Sequence, residues 1–420
     1  MPRASTRGTG STHECSIPTF MPASSIQRSA YERLLADLEE ELRTLDAQGL
    51  LRQLIPIDAV DGAFVRIGGR ELVCWCSNDY LGLAQHPALA AAAARAATQS
   101  GVGARASRLL AGTTSWHIRL EEALSAWFGV EEAIVFASGY LANLGALGAL
   151  LSSDDAVIID RLAHASLLDA SRATGASLRV FRHNDVSHAA ALLARASGAR
   201  RRCLVTEGVF SMDGDRAPLA QLLDVAEAHD AVLYLDDAHG AFVLGATGRG
   251  TPEAAGISLE RFLYMGTLGK ALGCQGGFVA GPQALIRLLH NRARTFLYAT
   301  ALAVPVTAAA LEALQVLKEE PERRVHLEQR ARTLHARLQS LGMPGVPMAS
   351  HIVPLVVGES ARALALASRL QERGIWAPAI RPPTVPKGTA RLRLSVTALH
   401  TDAHIDALIA ALQATKALNS

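Results

Sequence analysis

Residues 262–273 read FLYMGTLGKALG. An unbroken small-and-apolar run, Phe262–Gly266, stops at Thr267, and a lysine follows three residues later among glycines and leucines. Lysine is scarce in this chain: Lys270, Lys318, Lys387 and Lys416 are the only four, against 37 arginines. Arginine stays protonated and cannot act as an amine nucleophile, whereas a desolvated lysine can lose its proton and form a Schiff base. The run before it has the length and composition of a strand buried on both faces.

Outward from this stretch the pattern repeats. Ala133–Ala137, Ala156–Asp160, Leu178–Phe181, Cys203–Thr206 and Ala231–Leu235 are further short apolar runs, each separated from the next by a helical stretch. Strand then helix, repeated, implies right-handed crossovers and a mostly parallel sheet in an α/β fold. Before it, Leu34, Leu35, Leu38, Leu42 and Leu45 predict a helix over Tyr31–Leu51, and Gly68-Gly69 predicts a hairpin between Phe64–Ile67 and Glu71–Trp75. After it, strands over Ile352–Val357 and Ala390–Val396 and helices over 361–373 and 402–415 suggest a smaller α+β unit. The expected division is a disordered polar tail over 1–27, a helix-and-hairpin segment over 28–80, a large cofactor-binding α/β domain over 81–320 and a C-terminal α+β domain over 321–420.

Half of the 420 residues are hydrophobic and the formal net charge is +2, so a large core is expected and no electrostatic footprint for nucleic acid is present. No apolar run reaches the length of a membrane span. The five cysteines are odd in number and form no CxxC pair, which reads as reduced thiols in a cytoplasmic protein.

Ligands of parallel sheets gather at the carboxyl ends of the strands. There the sequence places Ser138, Gly139 and Tyr140 opening a helix, His164, Ser211, the pair Asp236 and Asp237 with His239, and then Thr267 and Lys270. Each alone has a bland reading: a loop glycine, a helix cap, a turn serine. Asp236 and His239 could also serve a metal, but no further ligands stand at fixed spacing. Together they supply backbone donors for a phosphate, a carboxylate for a ring nitrogen and an amine for an aldehyde, the set that pyridoxal 5′-phosphate (PLP) needs.

From about residue 28 to 415 the chain resembles the α-oxoamine synthases, PLP enzymes of the type I aminotransferase fold. The resemblance is carried by SNDYLGL (77–83), AGTTSWHIRLE (111–121), DRLAHASLLDA (160–170), TEGVFSMDGD (206–215), DDAHG (236–240) and GTLGKALG (266–273). It implies a mostly parallel central sheet with a smaller C-terminal α+β domain. It implies that Lys270 forms the Schiff base with the cofactor and later takes the α-proton, that Asp236 pairs with the ring nitrogen, and that His164 stacks on the ring. Ser211 and His239 would contact the ring hydroxyl region, Gly139 and Tyr140 would contact the cofactor, and Thr267 would reach the phosphate. Arg393 would hold the amino acid's carboxylate, with Asn78, Arg52 and Thr384 lining the substrate side.

The family builds its site at a homodimer interface, which would bring Thr300 to the neighbour's phosphate. Within the family, IRPPTVP (380–386) and Arg52 point to L-alanine and a pimeloyl thioester, carried on coenzyme A or an acyl carrier protein, as substrates. Sibling reactions would pair glycine with acetyl- or succinyl-CoA, or serine with a long acyl-CoA. A non-catalytic subunit of the same fold would be expected to have lost the lysine.

Overall fold

The computed structural model describes residues 29–342 and 350–415. The tail expected over 1–27 lies outside the described residues. The chain divides into two units, Met1–Gln53 and Leu54–Ser420. In the first, one helix spans Ala30–Ala47. It opens with a reciprocal cap: the Glu32 amide donates to Ser29 Oγ, and the Ser29 amide donates to the Glu32 carboxylate. It closes before the expected Leu51, because Gly49 takes a left-handed φ of 63°.

The second unit holds three sheets. Strands β1 (Ala59–Asp61), β2 (Phe64–Ile67) and β3 (Arg70–Cys74) form the antiparallel hairpin segment. Seven strands build the central sheet: β4 (Glu132–Phe136), β5 (Ala156–Asp160), β6 (Ser177–Phe181), β7 (Arg202–Glu207), β8 (Val232–Asp236), β9 (Leu263–Thr267) and β10 (Gly277–Gly281). Their order is β4-β10-β9-β8-β7-β5-β6. Neighbours from β9 to β6 run parallel, and only β10 is reversed, antiparallel to both β4 and β9. The sequence reading foresaw the six co-directional strands within a residue or two and did not foresee β10.

Alternate residues of each strand feed opposite layers. Ile158 joins a core with Phe128, Phe242, Tyr264 and Phe278. Val157 and Ile159 join another with Ala142, Ala146 and Leu167 from helices Gly139–Leu150 and Ala165–Ala173. Burial on both faces is why these strands read as continuous apolar runs.

Beyond them, β11 (Ile352–Gly358), β12 (Ile375–Trp376), β13 (Ala379–Ile380) and β14 (Ala390–Ser395) complete the strands. A three-stranded sheet has the order β11-β14-β13, while β12 adds in parallel to β3 of the hairpin. The Trp75 amide donates to the Trp376 carbonyl, and the Ser395 amide donates to the Trp75 carbonyl. Two segments some 300 residues apart are thereby stitched together, and the loop after β3 is carried to β14. Among the described residues, no helix is long and apolar enough to cross a membrane.

Candidate active site

The polar residues at the carboxyl ends of the central strands converge. Asp236 ends β8 and is buried. Its Oδ2 accepts from Asn143 Nδ2 at 2.8 Å and its Oδ1 accepts from the Ala238 amide at 3.0 Å. Asn143 is itself fully engaged: it also donates to Ser166 Oγ at 2.9 Å and accepts from the Tyr234 hydroxyl at 2.9 Å. A buried carboxylate held by two donors is fixed in place.

Lys270 follows β9 and is partly buried, with Nζ 2.7 Å from His239 Nε2. His239 Nδ1 lies 2.6 Å from the Tyr80 hydroxyl. Tyr80 gives its one proton to Asn78 Oδ1 at 3.1 Å. The imidazole therefore donates from Nδ1 and accepts at Nε2 from Lys270. Burial, with the Lys270 and Arg393 charges beside it, holds His239 well below the ordinary histidine range and keeps it neutral. Burial also brings the Lys270 ammonium down to about 8, against the opposing pull of Asp236 and Glu207.

His164 caps helix Ala165–Ala173, its Nδ1 2.8 Å from Ser166 Oγ. Burial lowers its pKa, Asp236 opposes the shift and Lys270 adds to it. Its amide donates to the buried Glu207 at the end of β7, a carboxyl that burial and the nearby Asp236 push well above the usual range. His164, Asn143 and Asp236 thus form one hydrogen-bonded arc through Ser166.

Arg393 on β14 is buried. It donates from Nη1 to Asn78 Oδ1 at 3.1 Å and Ser395 Oγ at 2.8 Å, from Nη2 to the Tyr80 hydroxyl at 3.1 Å, and from Nε to the Ser211 carbonyl. All four acceptors are neutral, and among the described residues no carboxylate forms an ion pair with it. The arrangement suits an incoming anion.

At the start of helix Gly139–Leu150, Ser138 caps and Gly139 closely approaches Gly277. A Cβ at Gly277 would lie 2.7 Å from the Gly139 nitrogen, and one at Gly139 would lie 3.0 Å from Met265 Cε. Glycine at 277 keeps this helix start open, as an amide-lined phosphate site requires. Amine, carboxylate, imidazole and glycine-lined helix start together fit PLP.

Of the other expected residues, Tyr140, Thr384 and Thr300 bond to groups other than Lys270, Asp236 and His239. Tyr140 is exposed, with its hydroxyl bonded to Asp169. Thr384 is exposed on the turn before β14, where its amide donates to the Arg381 carbonyl. Thr300 is exposed on a bridge to Ser107. Arg52 belongs to the first unit. Sequence reasoning missed Tyr80, Asn143 and Ser166. Tyr80 lies within the quoted SNDYLGL, directly after the polar Ser77, Asn78 and Asp79, which gave its hydroxyl no contrast; Asn143 was a lone polar residue inside an apolar helix.

Fold and site together define a PLP-dependent enzyme, and the chain belongs to the aminotransferase class I and II family, whose model matches residues 70–412. Within that class it belongs with the 8-amino-7-oxononanoate synthases. It is 51% identical over 374 residues to the 8-amino-7-oxononanoate synthase of Anaeromyxobacter dehalogenans (strain 2CP-1 / ATCC BAA-258), covering 89% of this chain and 94% of that one. It is 47% identical over 377 residues to that of Alkalilimnicola ehrlichii (strain ATCC BAA-1101 / DSM 17681 / MLHE-1), covering 89% and 96%.

Among solved structures, a serine palmitoyltransferase from S. paucimobilis with bound PLP–myriocin aldimine superposes with a TM-score of 0.87 at 31% identity, covering 93% of this chain and 100% of that one. An 8-amino-7-oxononanoate synthase from Francisella tularensis superposes with a TM-score of 0.70 at 28% identity, covering 81% and 96%. Sibling enzymes share this fold, so sequence identity rather than superposition separates them.

Proposed function

We propose that the chain condenses L-alanine with a pimeloyl thioester, on coenzyme A or an acyl carrier protein, releasing CO2 and free thiol and giving 8-amino-7-oxononanoate. The observation that carries the reading is the Lys270–His239 contact of 2.7 Å beside Asp236, in a chain 51% identical to a protein named for that product. Bound PLP supplies an electron sink for negative charge developing at the amino acid's α-carbon.

Lys270 would hold the cofactor through Nζ, and the same amine would take the amino acid's α-proton. Its pKa near 8 leaves part of the amine neutral at physiological pH. His239 aims that amine from Nε2 and is itself fixed through Tyr80. Asp236, oriented by Asn143, would serve the cofactor's ring nitrogen. His164 would serve the ring, Ser211 and His239 its hydroxyl region, and the Gly139–Tyr140 helix start with Thr267 its phosphate. Arg393 takes the alanine carboxylate, a charge-assisted task for which its neutral partners leave it available. Asn78, Arg52 and Thr384 serve the substrate side.

The reading includes a homodimer in the cytoplasm. Val102, Leu109, Leu110 and Tyr298 are large exposed apolar side chains on segments joined by the Ser107–Thr300 bridge, which supports a partner subunit there and a role for Thr300 toward the partner's cofactor. A second reading, serine with a long acyl-CoA, rests on the 31% identity to serine palmitoyltransferase. Turnover of carboxyl-labelled L-alanine with pimeloyl-CoA tests the first: labelled CO2 in step with thiol release is expected, and label retained in the product would overturn it.

A further inference from the structure

We propose that Cys74 and Cys76 form a reversible intrachain disulfide on exposure to hydrogen peroxide, and that this bond loosens the amino-acid carboxylate site. The two sulfurs stand 3.8 Å apart. Cys74 ends β3 and Cys76 follows two residues later, so strand alternation carries both side chains to one side, where they join a small cluster with Val65, Leu72 and Trp376. A disulfide of about 2.05 Å requires the sulfurs to close by a further ~1.8 Å. Cys74 is buried and Cys76 partly buried, so the oxidant must be small.

The chemistry balances on the two thiols and one peroxide. The Cys74 sulfur attacks a peroxide oxygen, the O–O bond breaks and a sulfenic acid forms with loss of water. The Cys76 sulfur then attacks Cys74 Sγ, the S–O bond breaks and a second water leaves. Two electrons pass from the sulfurs to peroxide. Either thiol can donate in the sulfur contact: with Cys76 donating, the Cys74 thiol is lowered and attacks first, and the reverse donation gives the same disulfide in the opposite order.

The bond would be felt at the site because Trp75 cannot move freely. It is fully buried, stacked on His400 with centroids 3.9 Å apart, and tied by its backbone to Trp376 and Ser395. Ser395 Oγ accepts from Arg393, Asn78 lies two residues beyond Cys76, and the Arg393 charge acts on the Cys76 thiol. Closing the sulfurs strains the peptide on which both ends of the Arg393–Asn78 contact depend.

The effect on alanine rests on the proposed reaction; the bond itself does not. The test treats PLP-loaded protein and its Cys76→Ser variant with peroxide, then maps the tryptic peptide 71–95, whose only cysteines are these two. The expected wild-type peptide is lighter by two hydrogens. KM for L-alanine should rise about tenfold or more, with little change for the thioester, and return on reduction by dithiothreitol. The Cys76→Ser enzyme should keep its alanine KM after the same dose and reduction cycle. A peptide that retains both free thiols overturns the proposal, as does a disulfide that leaves amino-acid binding unchanged. Binding is also read from the PLP absorbance with glycine and serine, so failure of the alanine reading is distinguishable from failure of the switch.

Discussion

Lys270 Nζ lies 2.7 Å from Nε2 of His239, a buried imidazole held neutral and turned by its Nδ1 contact to Tyr80. The amine therefore sits in a weakly hydrated place beside an acceptor that carries no charge, and its pKa falls to about 8.

Capture of PLP by the apoprotein requires the neutral amine. The capture rate should rise with pH and level off above about 8, followed by absorbance. Linkage gives a companion sign. Between about pH 8 and the ordinary 10.5, the unfolded chain holds a proton that the folded chain has shed, so this group makes the apoprotein more stable as pH rises through that window. A capture rate still climbing at pH 10 would show an unperturbed lysine.

Asp236→Asn should retain cofactor yet lose turnover by about 10²-fold or more, since the fixed charge is needed as charge develops. Asn143→Ala removes the donor to Asp236 Oδ2 and the acceptor of the Tyr234 hydroxyl. Urea unfolding should report a loss of about 1–3 kcal/mol, accompanied by reduced turnover. Unaltered turnover in both variants would place the electron-sink partner elsewhere.

Arg393→Ala should raise KM for L-alanine about 10- to 100-fold, the cost of one charged hydrogen-bonding partner, with Arg393→Lys recovering part of it. Steady-state kinetics separate the outcomes: an effect confined to the thioester KM would assign the guanidinium to the other substrate.

A stability prediction concerns Arg108 and Glu121, a buried pair with two hydrogen bonds of 2.8 Å. Glu121 also accepts from the Val135 amide of β4 at 2.9 Å. Glu121→Ala strands a guanidinium and should cost about 3–5 kcal/mol in denaturant unfolding. Replacing both residues by apolar ones should cost less than the sum of the single changes. A strictly additive pair would contradict the coupling.

The parallel strands were legible because burial on both faces writes continuous apolar runs, and their polar ends because a charged residue there breaks the run abruptly. β10 escaped: GFVAG (277–281) is five residues bounded by glycine, directly behind the lysine loop, and nothing local announces a reversed strand. Lys270, Asp236, His239 and His164 could be named because their chemistry is unusual at strand ends, whereas Arg393, one of 37 arginines, was named through the family resemblance alone. Asn143 and Tyr80, which aim Asp236 and His239, act through contacts between segments distant in sequence, as in the 2.6 Å approach of Tyr80 to His239. Spacing along one strand or helix carries no trace of such pairs. Thr300 and Thr384 stand exposed in the single chain, so their roles depend on what covers them.

The most direct measurement is thiol release by the PLP-loaded protein, with L-alanine, glycine and L-serine each offered against pimeloyl-, acetyl-, succinyl- and palmitoyl-CoA. Release confined to L-alanine with pimeloyl-CoA, with equimolar CO2, is the predicted result. Preference for serine with palmitoyl-CoA, or for glycine with a short acyl-CoA, would contradict the account and move the activity to a sibling reaction.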